Sequence, residues 1–226
     1  MAGITAGKTW SRIGAEVAPT DGAAPGVWGD LNEVAELVGA ETWPPVLEFV
    51  FEPLGTATFD GTVATVTLSA IPQTHAALRL VVKTTPSGGS HSNNYHVGVQ
   101  INGDTASNYR YFYSYVYDYS TQSSGSGLGS RWLAGMNYGS NTLPYTCVMD
   151  IVDYASSDNV PAFTSRYGQT PLTTGDSAYN RIGWTSGSYE GTIAAITSLT
   201  IGPIGYGSSI YSAGSTATVY GMGTAS

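Results

Sequence analysis

Residues that could do chemistry form no recognisable cluster in this 226-residue sequence, although serines are abundant. The three histidines, His75, His91 and His96, have no cluster of other ligand-type side chains near them in sequence. Because a zinc site takes three or four protein ligands, the histidines favour surface or turn roles. A serine nucleophile is expected on a sharp turn that opens a helix. The segment Ser124-Gly125-Ser126-Gly127 instead has the composition of a flexible loop.

The carboxylates and the single thiol also give no catalytic arrangement. Glycoside hydrolysis needs two carboxyl groups with separated pKa values, and the acids after residue 60 single out no such pair. Cys147 lies in an apolar run and is expected to be a small buried hydrophobic side chain. We therefore expect no enzyme activity, no cofactor and no metal site. The acids considered are Asp104, Asp118, Asp150, Asp153, Asp158, Asp176 and Glu190.

The segment Asn102-Gly103-Asp104 predicts a tight turn between two strands. Asn102, Asp104 and Asn108 are alternative calcium ligands, but they lack the dense carboxylates and the terminal Glu of a calcium loop. The turn is the preferred interpretation.

The composition limits the classes of function. Only 11% of the residues are charged, and such a polar, uncharged surface is common in extracellular β-proteins and virion proteins. The formal net charge of −8 argues against a nucleic-acid partner. No stretch approaches the 18 apolar residues of a membrane span, and the N-terminus has no signal-peptide pattern. We expect a protein that is assembled inside a cell and released with a particle.

Residues 1–45 are predicted to be an irregular, acidic N-terminal arm. Residues 1–60 hold two basic and nine acidic residues, whereas the remainder is nearly neutral. A capping-box pattern at Asp30 and Glu33 predicts one short helix over about residues 30–38. A helix of about two turns is marginal alone, so it must pack on its own domain or on another subunit. The candidate anchor residues are Trp10, Trp28, Leu31, Val34, Leu37 and Trp43.

Residues 46–226 are predicted to form one all-β domain. Many short strands separated by Gly, Ser, Asn and Pro, with no helices between them, indicate an antiparallel β-sandwich that is jelly-roll-like. The predicted strands are 46–52, 62–69, 78–83, 95–101, 109–118, 131–138, 145–153, 193–201 and 216–221.

Tyrosine occupies every odd position from 109 to 119, so six tyrosines would share one face of a strand. Together they present roughly 1,000 Å² of aromatic surface, more than a soluble monomer usually exposes. We therefore favour a core face or a subunit interface over a sugar platform. The most buried members are expected at the centre, and Tyr109 and Tyr119 are expected to keep their hydroxyls in water. The residues assigned to this face are Tyr111, Tyr113, Tyr115 and Tyr117.

A bound glycan is expected to contact only one to three exposed rings near the loops. The candidate glycan contacts are Trp132, Tyr138, Trp184 and Tyr189.

Several segments, in their order along the chain, resemble a β-sandwich module of tailed-bacteriophage virion surface proteins, of the tail-fibre and capsid-decoration type. The resemblance covers about residues 56–223 and rests on the succession of the segments rather than on any one of them. They are Leu68-Ser69-Ala70-Ile71-Pro72-Gln73-Thr74-His75, Leu78-Arg79-Leu80-Val81-Val82, Val99-Gln100-Ile101-Asn102-Gly103-Asp104, Ser107-Asn108-Tyr109, Met149-Asp150-Ile151-Val152-Asp153-Tyr154, Ala194-Ala195-Ile196-Thr197-Ser198-Leu199-Thr200-Ile201 and Ala217-Thr218-Val219-Tyr220-Gly221.

The resemblance implies a structural or adhesive role in the virion and carries no catalytic residues. We expect a virion structural protein displayed on the particle as capsid decoration or a short head or tail appendage, attached to other virion proteins by the N-terminal arm. We also expect a homo-oligomer, since such proteins are often trimers, and no insertion into a membrane. The alternative is a tail-fibre-type adhesin that binds a host surface polysaccharide.

Overall fold

The computed structural model describes residues 51–87, 96–117, 121–136, 144–169, 181–204 and 210–223. The chain divides into two units, Met1–Glu48 and Phe49–Ser226. The predicted N-terminal arm and its helix lie outside the described residues and stay predictions.

Every regular element in the described part of the chain is a β-strand, and all strand pairs are antiparallel. The predicted all-β antiparallel fold is therefore confirmed. The strands are β1 (Phe51–Thr58), β2 (Val66–Leu68), β3 (Ala77–Thr84), β4 (Pro86–Ser87), β5 (His96–Ile101), β6 (Tyr109–Tyr117), β7 (Thr121–Gly129), β8 (Trp132–Gly135), β9 (Tyr145–Val152), β10 (Ala162–Gln169), β11 (Arg181–Tyr189), β12 (Leu199–Ile204), β13 (Ile210–Tyr211) and β14 (Thr216–Met222).

Two unequal sheets pack face to face. The large sheet has the strand order β1-β14-β3-β9-β10-β11-β6-β7, and the small sheet has the order β2-β12-β5-β8. Strand β8 lies against β6, β9, β10 and β11, while β2 lies against β1. A two-stranded ribbon of β4 and β13 completes the described sheets.

The chain crosses between the two sheets on either side of the β6–β7 hairpin. Strand β5 belongs to the small sheet, β6 and β7 to the large sheet, and β8 to the small sheet again. Because β5 pairs with β8 and β6 pairs with β7, both crossings lie at the same end of the hairpin. We call this end, where Tyr109 faces Gly129, the crossing end.

The tyrosines of β6 share the inner face of the large sheet with the aliphatic core. Tyr109 and Tyr115 are buried, and Tyr111 and Tyr113 are half-buried and pack against the core. Of the two predicted alternatives, a core face and a subunit interface, the structure shows a core face for these four. Residues paired from strand to strand connect the aliphatic core with the tyrosines. One such row across the sheet consists of Leu80, Met149, Ser165, Thr185 and Tyr113.

The predicted order of burial along the tyrosine row is wrong. Tyr109, expected to keep a wet hydroxyl, is 0% exposed because it lies at the crossing end between the sheets. Towards the other end of β6, the Arg181 guanidinium lies 4.5 Å from the ring centre of Tyr115. The side chain of Tyr117 and all of Tyr119 lie outside the described residues.

The segment expected to be a flexible loop, Ser124-Gly125-Ser126-Gly127, is the middle of strand β7. Glycine is depleted in strands, but here it makes room for the tyrosines. A Cβ placed on Gly125 would lie 2.6 Å from the Tyr113 hydroxyl, and one on Gly127 would lie 2.6 Å from the Tyr111 hydroxyl. The glycines therefore let both rings lie across the neighbouring strand.

Strands β10 and β11 were not predicted, because their Gly and Ser residues hide the alternation of larger side chains. Predicted strand 193–201 is displaced, since β12 begins at Leu199 and continues to Ile204. In predicted strand 46–52, Phe51 and Glu52 begin β1, and the earlier residues lie outside the described part.

We predict that Gly127→Ala destabilises the domain by about 1 to 2 kcal/mol, because the added methyl group displaces the Tyr111 ring. The measurement is urea unfolding followed by tyrosine and tryptophan fluorescence. Gly168→Ala is the matched control, since a Cβ on Gly168 meets nothing within 4 Å. Equal loss of stability in both variants would contradict the close packing of Tyr111 on β7.

Candidate functional site

An aromatic cluster joins the two sheets at the crossing end. It consists of Tyr109, Trp132, Phe163 and Tyr189, of which Trp132 comes from the small sheet and the others from the large sheet. The Trp132 ring centre lies 5.7 Å from that of Tyr109 and 5.1 Å from that of Phe163. The indole nitrogen of Trp132 donates a hydrogen bond of 3.0 Å to the Ser188 carbonyl. The cluster is thus a packed core with its indole N–H satisfied.

The turn after β5 holds this cluster in place. Asn102 and Gly103 have φ values of +50° and +71°, and the Asp104 N–H donates to the Ile101 carbonyl at 2.9 Å. This geometry confirms the predicted tight turn. The side chain of Asn102 fixes the turn to the segment before β12, because its Oδ1 accepts from the Thr197 N–H at 2.8 Å.

Asp104 accepts hydrogen bonds from four donors, three at its carboxylate and one at its backbone carbonyl. Its Oδ2 accepts from the Tyr189 hydroxyl at 2.5 Å and from the Asn108 amide at 2.8 Å. Its Oδ1 accepts from the Ala106 N–H at 2.8 Å, and its backbone carbonyl accepts from the Tyr109 hydroxyl at 2.8 Å. The side chains considered as calcium ligands are thus used within the protein.

Asp104 and Tyr189 hold each other in their ordinary protonation states. The hydrogen bond from Tyr189, helped by those from Ala106 and Asn108, holds the pKa of the Asp104 carboxyl below its usual value. Burial, with a smaller effect from Asp104, raises the pKa of Tyr189 to about 12. Asp104 is therefore a carboxylate and Tyr189 a neutral phenol at neutral pH, which suits a structural hydrogen bond and not proton transfer.

Two of the predicted glycan contacts are wrong. Trp132 is 0% exposed and Tyr189 is 6% exposed, because both belong to the aromatic cluster. Tyr138 lies outside the described residues. Trp184 is 47% exposed and points away from Tyr189, since the two are five residues apart on one strand and alternate between faces.

Trp184 belongs to an exposed apolar surface on the outer face of the large sheet. In the β11–β6 register, Trp184 pairs with Ser114 and Ile182 pairs with Val116. The ring centre of Trp184 lies 5.3 Å from that of Phe112, with 43° between the ring planes. We call this surface the outer patch. It comprises Phe112, Val116, Leu128, Ile182 and Trp184, each at least 40% exposed.

Polar groups border the outer patch. Arg110 and Glu190 form a two-pronged ion pair in which Arg110 Nη2 donates to Glu190 Oε2 at 3.1 Å. Arg166 of β10 is the register partner of Trp184, and Ser126 of β7 is that of Phe112. Apolar rings beside hydroxyl and guanidinium groups can stack on one face of a ligand and hydrogen-bond to its edge.

Sequence reasoning missed Phe112, although its signal is present. In a strand whose odd positions turn inward, Arg110, Phe112, Ser114 and Val116 must face outward. That mixed set makes a poor core face, as expected. The missing information was its neighbour, because β11 was not predicted and nothing placed Trp184 beside Phe112.

Cys147, Arg79 and Asp150 also make contacts within the protein. Cys147 is fully buried, as predicted, and burial raises the pKa of its thiol to about 12. Arg79 forms a two-pronged ion pair with Asp150 at 2.6 and 2.7 Å. The described residues contain no group of three or more His, Cys, Asp or Glu that could hold a metal ion.

The predicted anchor residues Trp10, Trp28, Leu31, Val34, Leu37 and Trp43 all lie outside the described residues. Among the elements that the structure describes, none is a helix long and apolar enough to cross a membrane.

No protein-family model matches the chain, and no curated protein matches it. Among solved structures, the chain is similar to the CBM2 module of the evolved Dit of Lactobacillus casei BL23 phage J-1. The identity is 14%, the alignment covers 76% of this chain and 70% of that chain, and the TM-score is 0.22.

We predict that Asp104→Asn lowers the free energy of unfolding at pH 7 by about 1 to 2 kcal/mol. Both carboxylate oxygens of Asp104 accept hydrogen bonds, whereas an Asn side chain has only one oxygen acceptor. A lowered pKa in the folded state stabilises the protein above the ordinary pKa of 3.8, and this stabilisation is lost as the pH falls through the folded value. The difference between wild type and variant should therefore shrink below about pH 4.

The measurement is urea unfolding of both proteins from pH 7 to pH 3. Asp158→Asn, in the exposed loop after β9, is the control for removal of one carboxylate. A difference between wild type and Asp104→Asn that stays constant over this pH range would contradict the role of the ionised carboxylate.

Proposed function

We propose that this chain is a bacteriophage virion structural protein, displayed on the particle as capsid decoration or as a short head or tail appendage. Residues 1–45 attach it to other virion proteins, and the β-sandwich faces outward. Its role is structural rather than catalytic.

The observation that carries the proposal is the outer face of the large sheet. It presents exposed Phe112, Ile182 and Trp184 among serines, while Asp104, Tyr189 and Cys147 are used inside the fold. A chain with only 11% charged residues and a packed, chemically inert interior suits display on a particle. The ordered resemblance over residues 56–223 supports the assignment to phage virion proteins.

The second candidate is an adhesin that binds host surface polysaccharide. The specific observation in its favour is the Phe112–Trp184 pair, since large apolar rings exposed on a monomer mark interaction sites. The bordering Arg110, Arg166 and Ser126 provide the donors that sugar hydroxyls require.

We predict that a chain lacking residues 1–45 folds as a sandwich but no longer joins particles, because the proposed attachment surface has been removed. The measurement is the amount of protein in purified particles after complementation of a phage that lacks the gene. Circular dichroism and thermal unfolding of the truncated protein are the control for folding. Normal incorporation of the truncated chain would disprove the role of the arm.

For the adhesin, we predict that Trp184→Ala and Phe112→Ala each weaken binding to envelope polysaccharide about tenfold, since each removes one stacking ring. The measurement is a glycan array followed by titration of the best polysaccharide. Phe51→Ala is the matched control, because Phe51 is 45% exposed beside Arg79 at the opposite edge of the sheet. Wild-type binding by Trp184→Ala, or no binding by the wild type, would exclude this site.

A further inference from the structure

The two edges of the large sheet differ in how they are protected. Natural edge strands are blunted by charge, proline or a bulge, which prevents pairing with another chain. Strand β1 has all three: Glu52, Pro53 and a register shift between Pro53 and Gly55. Its edge is therefore closed to further strands.

Strand β7, the opposite edge, has none of these devices. Its nine residues, TQSSGSGLG, include no charged residue and no proline. They pair with β6 in unbroken register from Tyr109–Gly129 to Tyr117–Thr121. Among the described residues no strand pairs with its other side. The edge is regular, uncharged and about 30 Å long at about 3.3 Å per residue.

The inner face beside this edge is incompletely covered. The rings of Tyr111 and Tyr113 lie across Gly127 and Gly125, so they reach the outermost strand. Both remain half-buried, although their neighbours Tyr109 and Tyr115 are buried. An additional strand beside β7 would cover the exposed parts of these two rings.

We infer that β7 pairs with β7 of a second copy of this chain, so that the two large sheets become one continuous sheet. The edge itself favours this occupant, because two copies of β7 offer each other nine-residue edges of equal length, in regular register and without charge or proline. An isologous contact between identical edges closes on itself as a dimer.

The longest antiparallel ladder is centred on Gly125, the middle of β7. Ser124 then lies opposite Ser126 of the partner subunit, and Gln122 lies opposite Leu128 of the partner subunit. This register pairs outer-face residues with outer-face residues and extends both inner faces without interruption. It makes a specific prediction about which side chains meet.

The test is sedimentation velocity of the full chain over a range of concentrations. Wild type should move from 23.6 kDa towards twice that mass as concentration rises. Ser124→Lys with Ser126→Lys brings like charges opposite each other and should weaken association by about tenfold or more. Ser124→Lys with Ser126→Glu should associate like wild type, because each lysine then faces a glutamate.

The matched control is Thr56→Lys with Thr58→Lys on β1, which gives the same net charge of −6 as the double-lysine β7 variant, from −8 plus 2. It should associate like wild type. A wild type that stays monomeric, a trimeric mass, or unaltered association of the double-lysine β7 variant would overturn the inference. So would a double-lysine control that dissociates equally.

Hydrogen exchange of the wild type supplies a second measurement that needs no variant. Amides within residues 121–129 should exchange more slowly at protein concentrations where the chain associates than at concentrations where it is monomeric. The reason is that N–H groups on the open side of β7 then form hydrogen bonds with the second copy. Amides of β1 should not change. Equal exchange of β7 at both concentrations would overturn the inference even if the variants failed to fold.

Discussion

The hydrogen bonds to Asp104 determine how the two sheets are joined. This residue ends the turn after β5 and accepts from the hydroxyls of Tyr189 through its carboxylate and Tyr109 through its carbonyl. The chain therefore enters β6 with Tyr109 already buried under Trp132 of the small sheet. Because side chains alternate along a strand, fixing Tyr109 inward fixes the direction of every later side chain in β6.

The exposure of the outer patch follows from that constraint. With the odd positions of β6 inward, Phe112 must face outward, and the β11 register brings Trp184 beside it. Nothing in the core requires an aromatic residue at either position, and burying such rings would be favourable by about 1.5 to 3 kcal/mol each. Their exposure is therefore not required by folding, and it supports the proposal that this surface contacts an external ligand or partner.

Much of the architecture could be predicted from the sequence, because alternation and turn residues report local geometry. The β-fold, the Asn102-Gly103-Asp104 turn and the inward tyrosines all follow from such patterns. The residues of the candidate site could not be predicted in this way. Trp132 and Tyr189 resemble exposed loop aromatics in sequence, and only the pairing of distant strands buries them. The glycine-rich β7 resembles a loop in its sequence. Its glycines make room for tyrosine rings of the neighbouring strand, and the sequence does not show which strand is the neighbour.

The most direct test of the proposed function is to look for the protein on intact phage particles that are produced by cells carrying its gene. Purified particles would be examined by electron cryo-microscopy at moderate resolution, with the composition checked by mass spectrometry. The proposal predicts density of the sandwich's size projecting from the capsid or tail, joined to the particle by the N-terminal segment. Absence of the protein from purified particles, or a location inside the capsid, would contradict it.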